Sequence, residues 1–396
     1  MLHTRQGQLA QRAAAMTYDF NTCPDRASTG SLKWERYPER DVVPMWVADM
    51  DFVSAPEIIA ALQLRATHGV FGYTIPPKST VDAALEYLHT HHAYTAAPEH
   101  IVWFPGLVPG LNIACRAFVQ PGEDVLTCTP VYPPFLSAPE FAGVGLRTVD
   151  LAEKDGVWDI DFAALEAAVT AKTKLFILCN PHNPVGRVFP EATIARLAEF
   201  CRRHQLILIS DEIHCDLVLD DLPHTSGLKF AGSDGPPVVA MFAPSKTFNL
   251  AGLACAFLVI PDATTRRIFQ RAARGLITEI NAFGYTGCEA ALRHGWPWRD
   301  QLLDVLRSNR DHLKKFVASS LSGIRTWHVE ATYLAWLDAR ELGLPNAAKF
   351  FEDHGVGLSD GVPFGAASGF LRLNFGCPGA QLDEALSRMV RALSSR

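Results

Sequence analysis

Through the middle of the chain, short apolar runs of strand length alternate with longer stretches in which apolar residues recur at helical spacing. The strand-like runs are Ile101-Val-Trp-Phe104, Asp124-Val-Leu-Thr-Cys-Thr129, Leu175-Phe-Ile-Leu178, Leu206-Ile-Leu-Ile209, Val238-Val-Ala-Met-Phe242 and Cys255-Ala-Phe-Leu-Val-Ile260. Helical spacing falls at residues 81–92, 111–119, 162–170, 190–204 and 263–274. In the fourth of these, Ile194, Leu197, Phe200 and Cys201 share one face. Strands that alternate with helices predict an α/β fold with a mostly parallel, doubly wound sheet.

The pattern changes towards both ends. Residues 302–321 have the spacing of a long helix of mixed charge that leads into a smaller domain. Beyond it, Tyr333-Leu-Ala-Trp-Leu-Asp338 and Phe370-Leu-Arg-Leu-Asn-Phe-Gly376 alternate as half-buried strands do. On the second, Leu371 and Leu373 should face one way and Arg372 and Asn374 the other. At the start, residues 1–30 are polar and irregular, with Asn21, Pro24, Asp25 and Gly30 as loop signals, and read as a flexible lead-in. Val43-Pro-Met-Trp-Val-Ala-Asp-Met-Asp-Phe52 is an apolar run that takes in two carboxylates near its end. It predicts a short edge strand and then a helix capped by Ser54, with Pro56 in the first turn and Glu57 at the third position. The expected organisation is a lead-in (1–30), a segment joining the small domain (31–60), a large domain (61–290) and a small C-terminal domain (291–396).

Composition narrows the class. With 396 residues the chain can bury more than one core, and 48% hydrophobic with 20% charged residues is ordinary for a soluble enzyme. A net charge of −6 supplies no basic face for nucleic acid or an anionic membrane. No apolar run approaches the length that spans a bilayer. The nine cysteines are scattered without a Cys-x-x-Cys pair, which favours buried thiols in a reducing compartment over disulfides or a zinc site. Residues 1–15 carry Arg5 and Arg12 but no apolar core, so no secretory signal is expected and the cytoplasm is the expected location.

Candidate chemistry follows the strands. In Ala243-Pro-Ser-Lys-Thr-Phe-Asn-Leu-Ala-Gly252, Lys246 comes just after a buried strand, where desolvation favours a neutral amine able to form an imine. A lone lysine in such a loop is more often a surface residue. Here, however, Ser210-Asp-Glu-Ile-His214 and Asn180-Pro-His-Asn-Pro-Val-Gly186 also follow strands, and functional groups collect at the carboxyl ends of strands in open α/β sheets. After Phe104, a Gly turn and a helix start at Gly106, Leu107 and Val108 offer free backbone N–H groups that suit a phosphate. Taken singly, Asp211 could cap a helix, Tyr132 could be a packed ring beside its prolines, Tyr73 a turn residue and Arg372 a solvated strand residue.

Asn183, Asp211 and Lys246, in that order, resemble the active-site series of fold-type I pyridoxal 5'-phosphate enzymes, the aspartate aminotransferase superfamily. The segment 43–52 and the Asp-Glu-Ile-His form ending at His214 resemble one branch, the MalY/PatB-type cystathionine β-lyases. The resemblance runs from about residue 30 to the end and implies an aspartate aminotransferase-like fold, with a large domain and a smaller α+β domain. It implies that Lys246 binds pyridoxal phosphate and serves as base, that Asp211 pairs with the pyridine nitrogen, and that Asn183 donates to the phenolic oxygen. His214 and Ser245 join the cofactor contacts, Gly106, Leu107 and Val108 cup the phosphate, and Tyr132 covers the ring and counts with Lys246 as catalytic. Val47, Ala48, Asn183 and Arg372 hold the substrate, Arg372 by a bidentate grip on its carboxylate. Tyr73 reaches the site of the other subunit in a homodimer. Two departures stand out: His214 replaces the tyrosine of many aminotransferases, and Ala243 and Ala254 stand where a serine and an arginine often bind phosphate. The activity implied is carbon–sulfur β-elimination from cystathionine or another cysteine S-conjugate. An aminotransferase is the alternative, and a catalytically silent binding protein a more distant one.

Overall fold

The structure, a computed structural model, describes residues 18–396. Its centre is a seven-stranded sheet in the order Ile101–Phe104, Ala256–Val259, Val238–Phe242, Ile207–Asp211, Thr173–Cys179, Asp124–Thr129, Gly145–Asp150. Ala256–Val259 runs antiparallel to both neighbours, and every other pairing is parallel. Val238–Phe242 is buried at all five positions, as a continuous apolar strand must be when helices cover both faces. Two separate apolar clusters occupy those faces, one around Phe176, Phe200 and Phe257 and the other around Leu111, Ile177 and Phe269. The expected doubly wound sheet is thus present.

Helix starts follow local capping chemistry where a short polar side chain is available. Asp161 accepts from the N–H groups of Ala163 and Ala164, Asp262 from Thr265 and Asn281 from Gly284. Ser54 does not cap the next helix as expected. That helix, Pro56–Thr67, begins after Ala55 without a side-chain cap, because the Ser54 hydroxyl donates instead to the Asn249 carbonyl at 3.3 Å.

A second sheet, Arg325–Thr326, Leu334–Asp338, Phe370–Asn374 and Ser359–Asp360, is wholly antiparallel. Helices Trp296–Ser320 and Gly379–Ser394 pack on it through Leu302, Leu306, Leu382 and Met389. The strand Phe370–Asn374 departs from the half-buried expectation, since all five residues are buried. Leu371 and Leu373 enter the apolar cluster, while Arg372 and Asn374 meet carbonyl groups of residues 46–49, which replace the water expected there.

That covering segment is anchored by charge. Val43–Pro44 pairs in parallel with Val356–Gly357. Behind it, Lys33 and Asp51, both without solvent access, form an ion pair at 2.7 Å. Arg26, Trp34 and Gln381 also donate to the Asp51 carboxylate. Burial alone would raise the Asp51 carboxyl, yet Lys33 and these donors hold it below its ordinary value. Tyr18 and Phe20 are buried too and Arg26 pairs with Asp49 and Asp51, so the stretch read as a lead-in is anchored at these points while residues 27–30 are exposed, and residues 1–17 lie outside the described residues. All nine cysteines are free thiols, and all but Cys23 are buried. Among the described residues, no helix is long and apolar enough to cross a membrane.

Candidate active site

Five parallel strands deliver side chains or backbone groups to one place at their carboxyl ends. A cavity of about 270 Å³ lies there. From the turn after Ile101–Phe104 come Gly106, Leu107 and Val108; from the loop after Asp124–Thr129 comes Tyr132; and Asn183 follows Thr173–Cys179. Asp211 ends its own strand, with His214 just beyond. Ser245 and Lys246 sit on the short helical turn Pro244–Thr247 after Val238–Phe242. Ala48 closes the cavity from the covering segment.

Gly106 adopts φ +143°, a conformation that L side chains rarely take, and it opens the helix Leu107–Phe118 with no side chain capping its first N–H groups. The open helix end makes this wall attractive to an anion. Ala243 and Ala254 line the cavity as well, so neither position contributes a hydroxyl or a guanidinium.

The charged groups are perturbed in ways that follow from burial. Burial pulls the Lys246 amine down to about 8; Asp49 and Asp211 oppose that shift and Arg372 adds to it. Burial pushes the Asp211 carboxyl up to about 7, against the opposing hydrogen bond from the Ile213 N–H at 3.1 Å. Burial, with the positive charges of Lys246 and Arg372, drives His214 down to about 3, so its imidazole is neutral. Its Nδ1 is buried without a hydrogen-bond partner. Burial likewise brings the Arg372 guanidinium down to about 10 and raises the Tyr132 phenol.

Arg372 donates to Asn183 Oδ1 at 3.1 Å and to the Trp46 carbonyl at 2.9 Å, and its Nε has no partner. Ala48 lines the cavity, and Val47 precedes it in the covering segment. The Val47 carbonyl accepts from Asn374, and the Ala48 carbonyl accepts from Lys246 Nζ at 2.7 Å, so only their N–H groups suit a carboxylate. Most of the singled-out residues line the cavity; Arg372 meets it through Asn183, and Val47 and Tyr73 are not part of its lining. Tyr73 is 102% exposed and does not line this cavity.

Tyr333 escaped the sequence reading. Its hydroxyl donates to the Ala48 carbonyl at 2.9 Å, the same atom that holds Lys246. Asp49 also matters electrostatically, and its Oδ1 is buried without a hydrogen-bond partner. The one local signal at Tyr333 is its neighbour Thr332, a buried β-branched residue at φ +77°.

The pattern of the aminotransferase class I and II family matches residues 40–389. Cystathionine beta-lyase PatB of Bacillus subtilis is 38% identical over 386 residues, which cover 95% of this chain and all of that protein. The crystal structure of OvoB superposes with a TM-score of 0.93 at 40% identity, covering 96% of this chain and 100% of that one. Cystalysin from Treponema denticola, whose crystal structure contains a pyridoxal 5'-phosphate cofactor, gives 0.92 at 32% identity over 96% and 100% of the two chains. With that family pattern spanning most of its length and such likeness to PatB from end to end, the chain belongs to the aminotransferase class I and II family, on its cystathionine β-lyase (MalY/PatB-type) branch.

Proposed function

We propose that the chain is a pyridoxal 5'-phosphate-dependent carbon–sulfur β-lyase that converts cystathionine or another L-cysteine S-conjugate into a thiol, pyruvate and ammonia. The observation that carries this reading is the Lys246 amine, held near neutrality in a cavity that also presents the buried Asp211 carboxylate. The residues fit the cofactor. Asp211 has no cationic side chain hydrogen-bonded to it, and burial has raised it to about 7, so a protonated pyridine nitrogen is the partner it lacks. The uncapped helix start at Gly106, Leu107 and Val108, with the Ser245 hydroxyl, suits a phosphate in spite of Ala243 and Ala254. Asn183, the neutral His214 imidazole and Tyr132 line the same cavity, where they would border and cover the ring.

When bound, pyridoxal phosphate supplies an electron sink that makes the substrate Cα–H acidic. Arg372 turns its guanidinium to the α-carboxylate, with Asn183 fixing one of its nitrogens. Lys246 then takes the Cα proton as general base. The Cβ–S bond breaks with its electron pair leaving on sulfur, which departs as the thiol once protonated. The three-carbon remainder, 2-aminoacrylate, takes up water and yields pyruvate and ammonia. Loss of a Cα proton also begins transamination, so the reaction after that step decides between lyase and aminotransferase.

The reading includes a homodimer. Tyr73 is fully exposed beside Val70, Phe71 and Ile75, which are 62%, 60% and 80% exposed, an unusual apolar run to leave in water. A second copy that covers this run would bring Tyr73 to its partner's phosphate.

The test is product analysis with the cofactor-loaded protein and L-cystathionine, with no 2-oxo acid added. Pyruvate and thiol accumulating together over many turnovers supports the lyase. A visible band that bleaches once and returns only on addition of a 2-oxo acid would replace the lyase by an aminotransferase.

A further inference from the structure

The Ala48 carbonyl oxygen has two donors: Lys246 Nζ at 2.7 Å and the Tyr333 hydroxyl at 2.9 Å. The arrangement is built from three parts of the chain, and each is constrained. Tyr333 has no solvent access, and its phenol has no other hydrogen-bond acceptor among the described contacts. The residue before it, Thr332, is held at φ +77°, a strained conformation for a β-branched side chain that persists only where the surroundings require it. Opposite the ring, a Cβ on Gly376 would stand 3.2 Å from Tyr333 Cδ2 and 2.7 Å from Met50 Cγ, so glycine lets the strand end and the covering segment close on the ring. Asn374 fixes the carbonyls on either side, donating to Val47 and Asp49 at 2.6 Å each.

We propose that Tyr333 is a positioning residue: through the Ala48 carbonyl that it shares with Lys246, it fixes where the free amine stands and how firmly that carbonyl holds the protonated form. The inference rests on Lys246 being the cofactor lysine and the base, and it is independent of which bond breaks afterwards. A carbonyl that already accepts from a hydroxyl is a weaker acceptor for an ammonium group, so the phenol favours the neutral, reactive amine. The charged and titratable groups that face Lys246 are Asp49 from the covering segment, Asp211 and His214 from the central sheet, and Arg372 from the second sheet. Asp49, Arg372, Tyr132 and the His214 ring, edge-on at 6.1 Å, face Tyr333. None of them touches the Ala48 oxygen among the described contacts, which leaves the shared acceptor as a lever separate from theirs.

The experiment compares Tyr333→Phe with the natural protein in two ways. One is the pH dependence of pyridoxal phosphate capture by the apoprotein, read as growth of the visible band. The other is the pH profile of Cα-proton exchange of L-alanine in D₂O, followed by NMR and expressed per loaded site. Both midpoints should rise by about half a pH unit or more, since an unshared carbonyl favours the charged amine. Exchange at neutral pH should slow by at least about threefold, the fall in neutral amine that such a shift implies. A tyrosine with only a packing role would lower the melting temperature and leave both midpoints in place. Ala48→Gly loosens the same carbonyl while keeping Tyr333, and serves if the ring change costs the fold. Exchange per loaded site should slow there too, and the midpoint of its pH profile should move from that of the natural protein. Profiles that superimpose on the natural protein's in whichever variant folds overturn the inference. A natural protein that never forms the visible band overturns the cofactor reading instead.

Discussion

Lys246 shows how a residue's surroundings set its chemistry. An exposed lysine is protonated at neutral pH and does not attack a carbonyl, whereas burial brings this amine down to about 8. Only the neutral amine is nucleophilic, so cofactor capture by the apoprotein should accelerate about tenfold per pH unit below that midpoint and level off above it. Stopped-flow absorbance between pH 6 and 10 checks this, and a rate flat across that range would show that the amine is not the titrating group. Lys246, Asp211 and Asn183 were legible in the sequence because each comes at or just after the carboxyl end of a strand, where topology alone brings groups together. Tyr333 was not legible. Its contact with Ala48 spans 285 residues, and no periodicity reports a hydrogen bond between two segments folded so far apart in the chain.

At the scale of elements, the strands of the central sheet were readable as apolar runs, and the expected helix at 190–204 corresponds to Glu191–Arg203. The covering segment was harder to read. Its decapeptide predicted an edge strand, yet only Val43–Pro44 pairs, and the rest is shaped by side chains that donate to its carbonyls. The buried ion cluster of Lys33, Arg26 and Asp51 could not be inferred either, since a sequence does not say which charges lose their water. Asp51→Asn leaves the Lys33 ammonium buried without its counter-charge and should cost about 3–5 kcal/mol of unfolding free energy in urea titration. A loss under about 1 kcal/mol would mean that Asp49, 3.8 Å from Lys33, carries the ammonium unaided. The same variant should weaken the KM for substrate, because the segment that meets Arg372 and Lys246 hangs from this cluster.

For the whole molecule, the fold class and family branch were legible because the motifs recur in order along most of the chain, and the family match over residues 40–389 agrees. What one chain does not supply is a role for Tyr73. If this side chain completes the partner's site, two inactive variants should rescue one another. Mixing Lys246→Ala with Tyr73→Ala under subunit exchange builds heterodimers in which one site has both a native lysine and a native tyrosine. Equal mixing should restore about a quarter of the natural sites, by random pairing. Activity no higher than the sum of the separate variants would place Tyr73 outside the site.

The central claim is that this cavity cleaves a carbon–sulfur bond with Lys246 as its working lysine, and a single stoichiometric assay addresses it. Protein loaded with pyridoxal phosphate is given L-cystathionine alone, and thiol and pyruvate are quantified in the same vessel for the natural chain and for Lys246→Ala. The account predicts equal amounts of the two products at many turnovers from the natural chain, and a rate lower by roughly a thousandfold or more from the variant. Equal rates from the two proteins, or substrate consumed with no thiol released, would contradict it.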